Sequence, residues 1–350
     1  MRIQVPVSKP SDHTHPPLTA LGWSSFFADQ VGRDETGLTP LRIATVHRSR
    51  LTAEGASGPV KVNLPAASKT TDFAVGDWVL SDPKTLMFVR CLDRRALLQR
   101  KTEGAHLPQL IAANVDTLFI VTSCNDDFNA ARLERYLALA NEAGTDPVIV
   151  LTKADQADDT APFVDQAAAL QRGLPVVTLN AKATQAADTL APWCGPGQTV
   201  ALVGSSGVGK STLLNTLANK TGEDVQATGG IREDDAKGRH TTTARSLHTT
   251  QAGGCVIDTP GIRTLHVSDL AVGLDILFAE ITELAPECKF RDCTHAHEPG
   301  CAVQAGVAAG DVAPERLERW RKLAEENRDN TPTTTGPRGN KKPQGRRKRR

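Results

Sequence analysis

The stretch GSSGVGKS, Gly204 to Ser211, limits what this chain can fold into more than any other. It fits GxxxxGK[ST], follows the apolar run TVALV and precedes the helical pattern STLLNTLAN. A glycine-rich turn between a strand and a helix lets backbone N–H groups face a phosphate, and the helix N-terminus adds partial positive charge. Gly204, Ser205, Ser206, Gly207, Val208, Gly209 and Thr212 are the expected cradle. Lys210 is expected at the β- and γ-phosphates and Ser211 on Mg²⁺. The loop sits unusually late: only 350 − 211 = 139 residues follow it. That leaves little room for a base-reading element in its ordinary downstream place.

The text around the loop has the rhythm of an α/β sheet. NVDTLFIVTS, DPVIVLTKAD, LPVVTLNAK, QTVALVGSSG and GCVIDTPG are continuous apolar runs. Helical patterns separate them, such as NAARLERYLALANEAG, with Leu133, Leu137 and Ala140 on one face and Gly144 as its stop. Strands apolar on both faces and joined by helices predict a parallel sheet covered on both sides.

The remaining nucleotide elements flank the loop. DTPG, Asp258 to Gly261, ends a strand downstream. There Asp258 would hold Mg²⁺ through water and Gly261 would offer its N–H to a γ-phosphate. GRHTTT, Gly238 to Thr243, lies between the two as a switch segment, with Thr242 as the expected Mg²⁺ ligand and Thr243 as the alternative. Upstream, LTKAD resembles the guanine-reading NKxD element. Asp155 would accept from two guanine N–H donors, the stem of Lys153 would cover the ring, and Ala154 lies between them. Thr152 replaces the usual Asn, a departure expected to weaken the loop around the base. LNAK, with Asn180, Ala181 and Lys182, ends the next strand and would meet guanine O6 through a backbone N–H. All the elements of a GTPase are thus present in rotated order, which predicts a circularly permuted one. Ile262 follows DTPG and cannot polarise water, so His240 is the candidate to position it, alongside a plain surface-loop reading.

Outside this region the composition changes. Residues 1–37 are rich in Pro, His and Ser, with one apolar patch at Leu21, Trp23, Phe26 and Phe27. Residues 38–105 carry short apolar runs split by turn residues, the pattern of a small β-barrel. Residues 106–268 are the expected nucleotide domain. Residues 269–330 contain Cys288, Cys293, His295 and Cys301 in a C-x4-C-x-H-x5-C spacing, a closed structural zinc set with His297 as the alternative ligand. The helix PERLERWRKLAEEN follows, with Leu317, Trp320 and Leu323 on one stripe. The other cysteines, Cys91, Cys124, Cys194 and Cys255, are scattered, and the clustering of the remaining three within 14 residues fits metal binding better than a disulfide framework. The fold class expected is multidomain α/β: an N-terminal OB-type β-barrel, a circularly permuted P-loop GTPase domain and a C-terminal zinc-binding helical domain.

Net charge is +1, but the segment 338–350 has eight Lys or Arg and no acid, so the rest of the chain carries 1 − 8 = −7. A cationic tail over 331–350, expected to be disordered, suits an RNA phosphate backbone. No signal peptide or membrane span is evident in the apolar pattern, and the clustered cysteines suit a reducing compartment, so the cytoplasm is expected. Nothing suggests an obligate dimer, and a monomer is expected.

Taken jointly and in order, VGDWV, LTKAD, GSSGVGKST, GRHTTT, DTPGIR and CKFRDCTHAHEPGCAV resemble the ribosome small-subunit-dependent GTPase A family. The resemblance spans about residues 41–320. It implies GTP and GDP as ligands, Mg²⁺, one structural Zn²⁺, and GTP hydrolysis on the small ribosomal subunit and its rRNA during late maturation. Two rival readings are a P-loop ATPase or small-molecule kinase with RNA-binding appendages, and a zinc- and RNA-binding module that holds nucleotide only structurally. Asp155 and LNAK oppose the first; Lys210, Ser211 and Asp258 oppose the second.

Overall fold

A computed structural model of the protein describes residues 16–100, 108–218, 245–259 and 268–331. Its centre is a parallel sheet of β8 (Thr117–Ser123), β9 (Asp146–Thr152), β10 (Val176–Thr178), β11 (Thr199–Gly204) and β13 (Cys255–Asp258). The antiparallel β12 (Ser246–Thr249) lies beside β13, giving the order β10-β9-β8-β11-β13-β12. Residues of alternate parity along these strands supply two different cores, because successive side chains point to opposite faces. Leu118, Ile120, Ile149, Leu151, Ala201, Val203 and Ile257 face α3 (Ala130–Glu142) and α4 (Ala161–Ala168). Phe119, Val121, Val148, Val150, Val200, Leu202 and Val256 face α5 (Gln185–Leu190) and α6 (Lys210–Leu217).

The chain runs outward from β8 to β10 and then returns to place β11 on the other side of β8. The strand order therefore reverses between β8 and β11. Ligands of open α/β sheets bind at such a reversal.

The N-terminal strands β1 (Thr39–Val46), β2 (Leu51–Gly55), β3 (Gly58–Val62), β4 (Trp78–Ser81) and β5 (Phe88–Cys91) form a five-stranded barrel. Antiparallel ladders join β3-β2-β1-β4-β5, and a parallel bridge between Asn63 and Met87 returns β3 to β5. Two backbone bonds seal that seam, Asn63 N–H to Leu86 O at 2.9 Å and Phe88 N–H to Asn63 O at 2.8 Å. Leu41, Ile43, Leu51, Ala53, Val62, Phe73 and Val79 fill the inside. The order β1-β2-β3-β5-β4 matches the OB-type barrel expected from the sequence.

Around the barrel, α1 (Pro16–Ala20) and α2 (Ser25–Ala28) pack Trp23 and Phe27 against Trp78 on its outer face, while Phe26 stays exposed. Arg42 joins three parts of the chain. It is 1% exposed, lies over the Trp78 ring, and donates to Leu21 O and, at 3.1 Å, to Asn114 O. Burial holds its pKa below the ordinary arginine value. A hairpin of β6 (Leu97–Arg100) and β7 (Gln109–Ala113) pairs across the boundary expected near 105/106.

The C-terminal helices are α7 (Ala271–Leu277), α8 (Ala279–Thr282), α9 (Ala302–Ala309) and α10 (Pro314–Asn330). Their apolar residues Leu274, Phe278, Val303, Leu317 and Leu323 share one core with Leu133, Tyr136 and Leu137 of α3. Gly273 lets α7 approach closely, since a Cβ there would lie 2.1 Å from Ala138 O. Behind this core Glu134, fully buried, accepts from Arg316 Nη1 at 2.7 Å and Arg319 Nε at 2.8 Å.

Candidate nucleotide site and zinc centre

The phosphate loop leaves β11 at Gly204, whose φ is 141° and where a Cβ would lie 2.1 Å from Val121 O. Only glycine fits so close to the neighbouring strand. Val208 is buried under the loop, Ser206 and Gly207 are exposed at its crest, and Gly209 caps α6. Lys210, Ser211 and Thr212 form the first turn of that helix. Lys210 Nζ donates to Ser205 O, folding back over the loop as a lysine does when it lines an anion cradle.

The upstream elements meet this loop. Thr152, at the end of β9, is fully buried, and its hydroxyl lies 2.6 Å from Val208 O and 3.1 Å from Thr122 O. A hydroxyl donates one proton, and the shorter contact makes Val208 O its acceptor. The short Thr152 side chain thus ties the end of β9 to the phosphate loop. Lys153 follows with φ 56°, a left-handed conformation that costs a non-glycine residue energy and clusters at functional sites. Its Nζ lies 3.7 Å from an Asp127 carboxylate oxygen. Ala154 and Asp155 form a tight 3-10 turn, Ala154–Gln156, with Asp155 exposed.

The LNAK element meets the same loop: a Cβ at Gly209 would lie 3.8 Å from both Ala181 Cβ and Thr152 Cβ. Thr216 Oγ1 on α6 donates to Ala181 O at 2.8 Å, and Ala154 N–H reaches Leu179 O at 3.4 Å. Asn180 Oδ1 accepts from Lys182 N–H at 2.9 Å, turning the chain sharply after β10. Two elements from different strand ends therefore adjoin a loop that follows them in the chain. Asp258 ends β13 beside Leu202 of β11, and the Thr259 hydroxyl donates to Leu202 O. His240, Thr242, Thr243, Gly261 and Ile262 lie outside the described residues.

One contact had no motif to announce it. Arg132, in the first turn of α3, donates through Nη1 to Ser205 Oγ in the phosphate loop.

In the C-terminal unit, Cys288 Sγ, Cys293 Sγ, Cys301 Sγ and a ring nitrogen of His295 lie within 4.8 Å of one another. His295 Nδ1 is 3.5 Å from Cys288 Sγ and 3.4 Å from Cys301 Sγ, and those two sulfurs are 3.8 Å apart. Four ligands bonded at about 2.1–2.3 Å to a tetrahedral Zn²⁺ require separations of this size. Burial holds the His295 imidazole below its ordinary pKa, in the neutral form that a metal ligand needs. Its backbone is left-handed, φ 56°, and Gln304 Nε2 donates to its carbonyl at 2.5 Å. Hydrogen bonds from the Thr294 side chain and backbone hold the Glu298 carboxyl well below the usual range and tie the knuckle together. Three thiolates with Zn²⁺ leave one net negative charge. Arg321, whose Nε and one Nη are buried without a partner among the described residues, contributes a positive field at His295. The residues fit zinc, and His297 lies outside the cluster, exposed. The other cysteines behave as core thiols: burial pushes Cys91 and Cys194 up to about 12 and raises Cys124 and Cys255.

Known proteins resemble this arrangement across most of the chain. The family model for the RsgA GTPase matches residues 91–268. The small ribosomal subunit biogenesis GTPase RsgA of Mesorhizobium japonicum is 64% identical over 335 residues, 96% of this chain and 97% of that protein. RsgA 2 of Vibrio vulnificus is 47% identical, over 90% of this chain and 89% of its own. The crystal structure of YjeQ from Thermotoga maritima aligns with a TM-score of 0.62 at 26% identity, covering 83% of this chain and 98% of that one. YloQ, described as a circularly permuted GTPase, shares the fold at 22% identity, with a TM-score of 0.59 over 86% of this chain and 99% of its own. The chain therefore belongs to the RsgA family of circularly permuted GTPases.

Proposed function

We propose that this GTPase acts on the small ribosomal subunit in the cytoplasm, as a monomer, hydrolysing GTP during late subunit maturation. The observation that carries the nucleotide half of this reading is the 2.6 Å hydrogen bond from Thr152 to Val208 O, which ties the base-reading strand to the phosphate cradle. The partner half rests on relatives 47% and 64% identical over at least 90% of this chain, named for small-subunit biogenesis. Among the described residues no helix is long and apolar enough to cross a membrane.

In this reading Asp155 accepts from the guanine N–H groups, the Lys153 stem covers the base, and Asn180, Ala181 and Lys182 complete the pocket. Residues 204–212 enclose the phosphates. Ser211 and Thr242 would hold Mg²⁺, with Asp258 acting through water; the ion neutralises charge that develops on the phosphate oxygens. Lys210 supplies a fixed cation beside them, and Gly261 offers its N–H. Ile262 cannot orient a water, which leaves that task to His240. The zinc set Cys288, Cys293, His295 and Cys301 leaves no open position and serves structure. The cationic segment 338–350 and the barrel supply contact with rRNA, and deleting 336–350 lowers subunit affinity most at low salt.

The direct test is GTP hydrolysis by the full-length protein with and without purified small subunits. Faster turnover with subunits, and its loss in His240→Ala, are the expected results. Equal turnover in both conditions contradicts the reading, and unchanged stimulation in His240→Ala removes that residue from it.

A further inference from the structure

Arg132 belongs to none of the motifs that mark a GTPase, yet it touches the phosphate loop. The strand order reverses between β8 and β11, so the first turn of α3, which follows β8, stands beside the loop that follows β11. From there Arg132 Nη1 donates to Ser205 Oγ, while Ser205 O accepts from Lys210 Nζ. A single loop residue is therefore held at its side chain by a cation from another strand–helix unit, and at its carbonyl by the loop's own lysine.

The helix that delivers Arg132 is fixed on several sides. Asn129 caps it, its side chain accepting from Arg132 N–H at 2.9 Å. Leu133, Tyr136 and Leu137 are buried against the sheet and the C-terminal helices. Glu134 is held by Arg316 and Arg319, and Arg135 Nη1 reaches Glu326 at 2.6 Å. The guanidinium thus approaches Ser205 from a helix whose place beside the loop is fixed by packing and ion pairs.

We propose that Arg132 is a positioning residue of the nucleotide site. It acts through the Ser205 hydroxyl, holding the start of the loop so that Ser205 O, and with it Lys210, stay in the binding-competent arrangement. The inference rests on the reading of residues 204–212 as a phosphate cradle, and it goes beyond that reading by adding an element from outside the loop.

The test is a double-mutant cycle on the full-length, zinc-loaded protein, read by titration with a fluorescent GDP analogue and by steady-state GTP hydrolysis. Arg132→Ala and Ser205→Ala should each weaken GDP binding about tenfold, as expected for losing a hydrogen bond to a charged group. Arg132→Ala/Ser205→Ala should bind no more weakly than the poorer single variant. KM should rise with kcat little changed, and Arg132→Lys should recover part of the loss. Thermal melts and zinc content should match the wild type, which separates positioning from general stability. Wild-type affinity in Arg132→Ala, or losses that multiply in the double variant, would overturn the proposal. Failure of the wild-type protein to bind GDP would overturn the cradle reading beneath it as well.

Discussion

At the residue scale, Thr152 departs from a motif and still reaches the phosphate loop. Asn is the usual residue at this place. Here a hydroxyl, fully buried, makes the contact with Val208 O. Replacing Thr152 by Val keeps the shape and removes the donor, leaving a buried carbonyl unpaired at a cost of about 1–3 kcal/mol. We expect GDP affinity to fall about tenfold in Thr152→Val and to survive in Thr152→Ser, which keeps the hydroxyl, by the same titration. The zinc ligands make a second residue-scale prediction. Metal analysis should find about one zinc per chain in the wild type and in His297→Ala, and none in Cys301→Ser. Retained zinc in Cys301→Ser would remove that thiol from the ligand set. The spacing pointed to His295 with His297 as the alternative; the structure brings the His295 ring, on a left-handed backbone, into the cluster and leaves His297 exposed outside it.

At the scale of elements, α3 is the piece whose importance the sequence conceals. Its apolar stripe was readable, because Leu133, Leu137 and Ala140 recur at helical spacing. Its polar residues were not, because their partners lie far away in the chain: Glu134 and Arg316 are 182 positions apart. Glu134 Oε1 accepts from both arginines, while Oε2 is buried without a partner among the described residues. Arg316 also donates to Glu280 at 2.6 Å and lies over the Phe278 ring. Removing one partner of such a group leaves uncompensated buried charge, so Glu134→Ala should cost about 3–5 kcal/mol in a urea titration. A loss under about 1 kcal/mol, the range of an exposed ion pair, would show that α3 and α10 are not joined through this group. The barrel teaches a related lesson. Its strands announce themselves by turn residues, but the parallel Asn63–Met87 seam that closes it is a pairing between distant positions and leaves no local pattern.

On the scale of the whole molecule, rotation of the chain order leaves the site intact because the sheet, and not the sequence order, sets the neighbours. β9 and β10 precede β11 in the chain, yet their C-terminal ends adjoin the loop that β11 delivers. This convergence was legible from the sequence, since each element is a short local motif at a strand end. The hydrogen bonds at that junction were not, because they run through Thr152 and Thr216, residue types common on any surface. The zinc knuckle likewise announces its ligands, whereas its docking on α3 through a shared core and buried charges appears only in three dimensions.

The central claim is that Asp155 and the loop 204–212 form one guanine-nucleotide site, and base exchange tests it most directly. An Asp carboxylate accepts from both guanine N–H donors, whereas an Asn side chain offers one acceptor and one donor, which suits xanthine with its carbonyl in place of the amino group. The measurement is displacement of a fluorescent GDP analogue by GDP, ADP and xanthosine diphosphate, on the wild type and on Asp155→Asn. The account predicts displacement by GDP and not ADP in the wild type, and a preference for the xanthosine nucleotide in Asp155→Asn. Unchanged guanine preference in Asp155→Asn would contradict it.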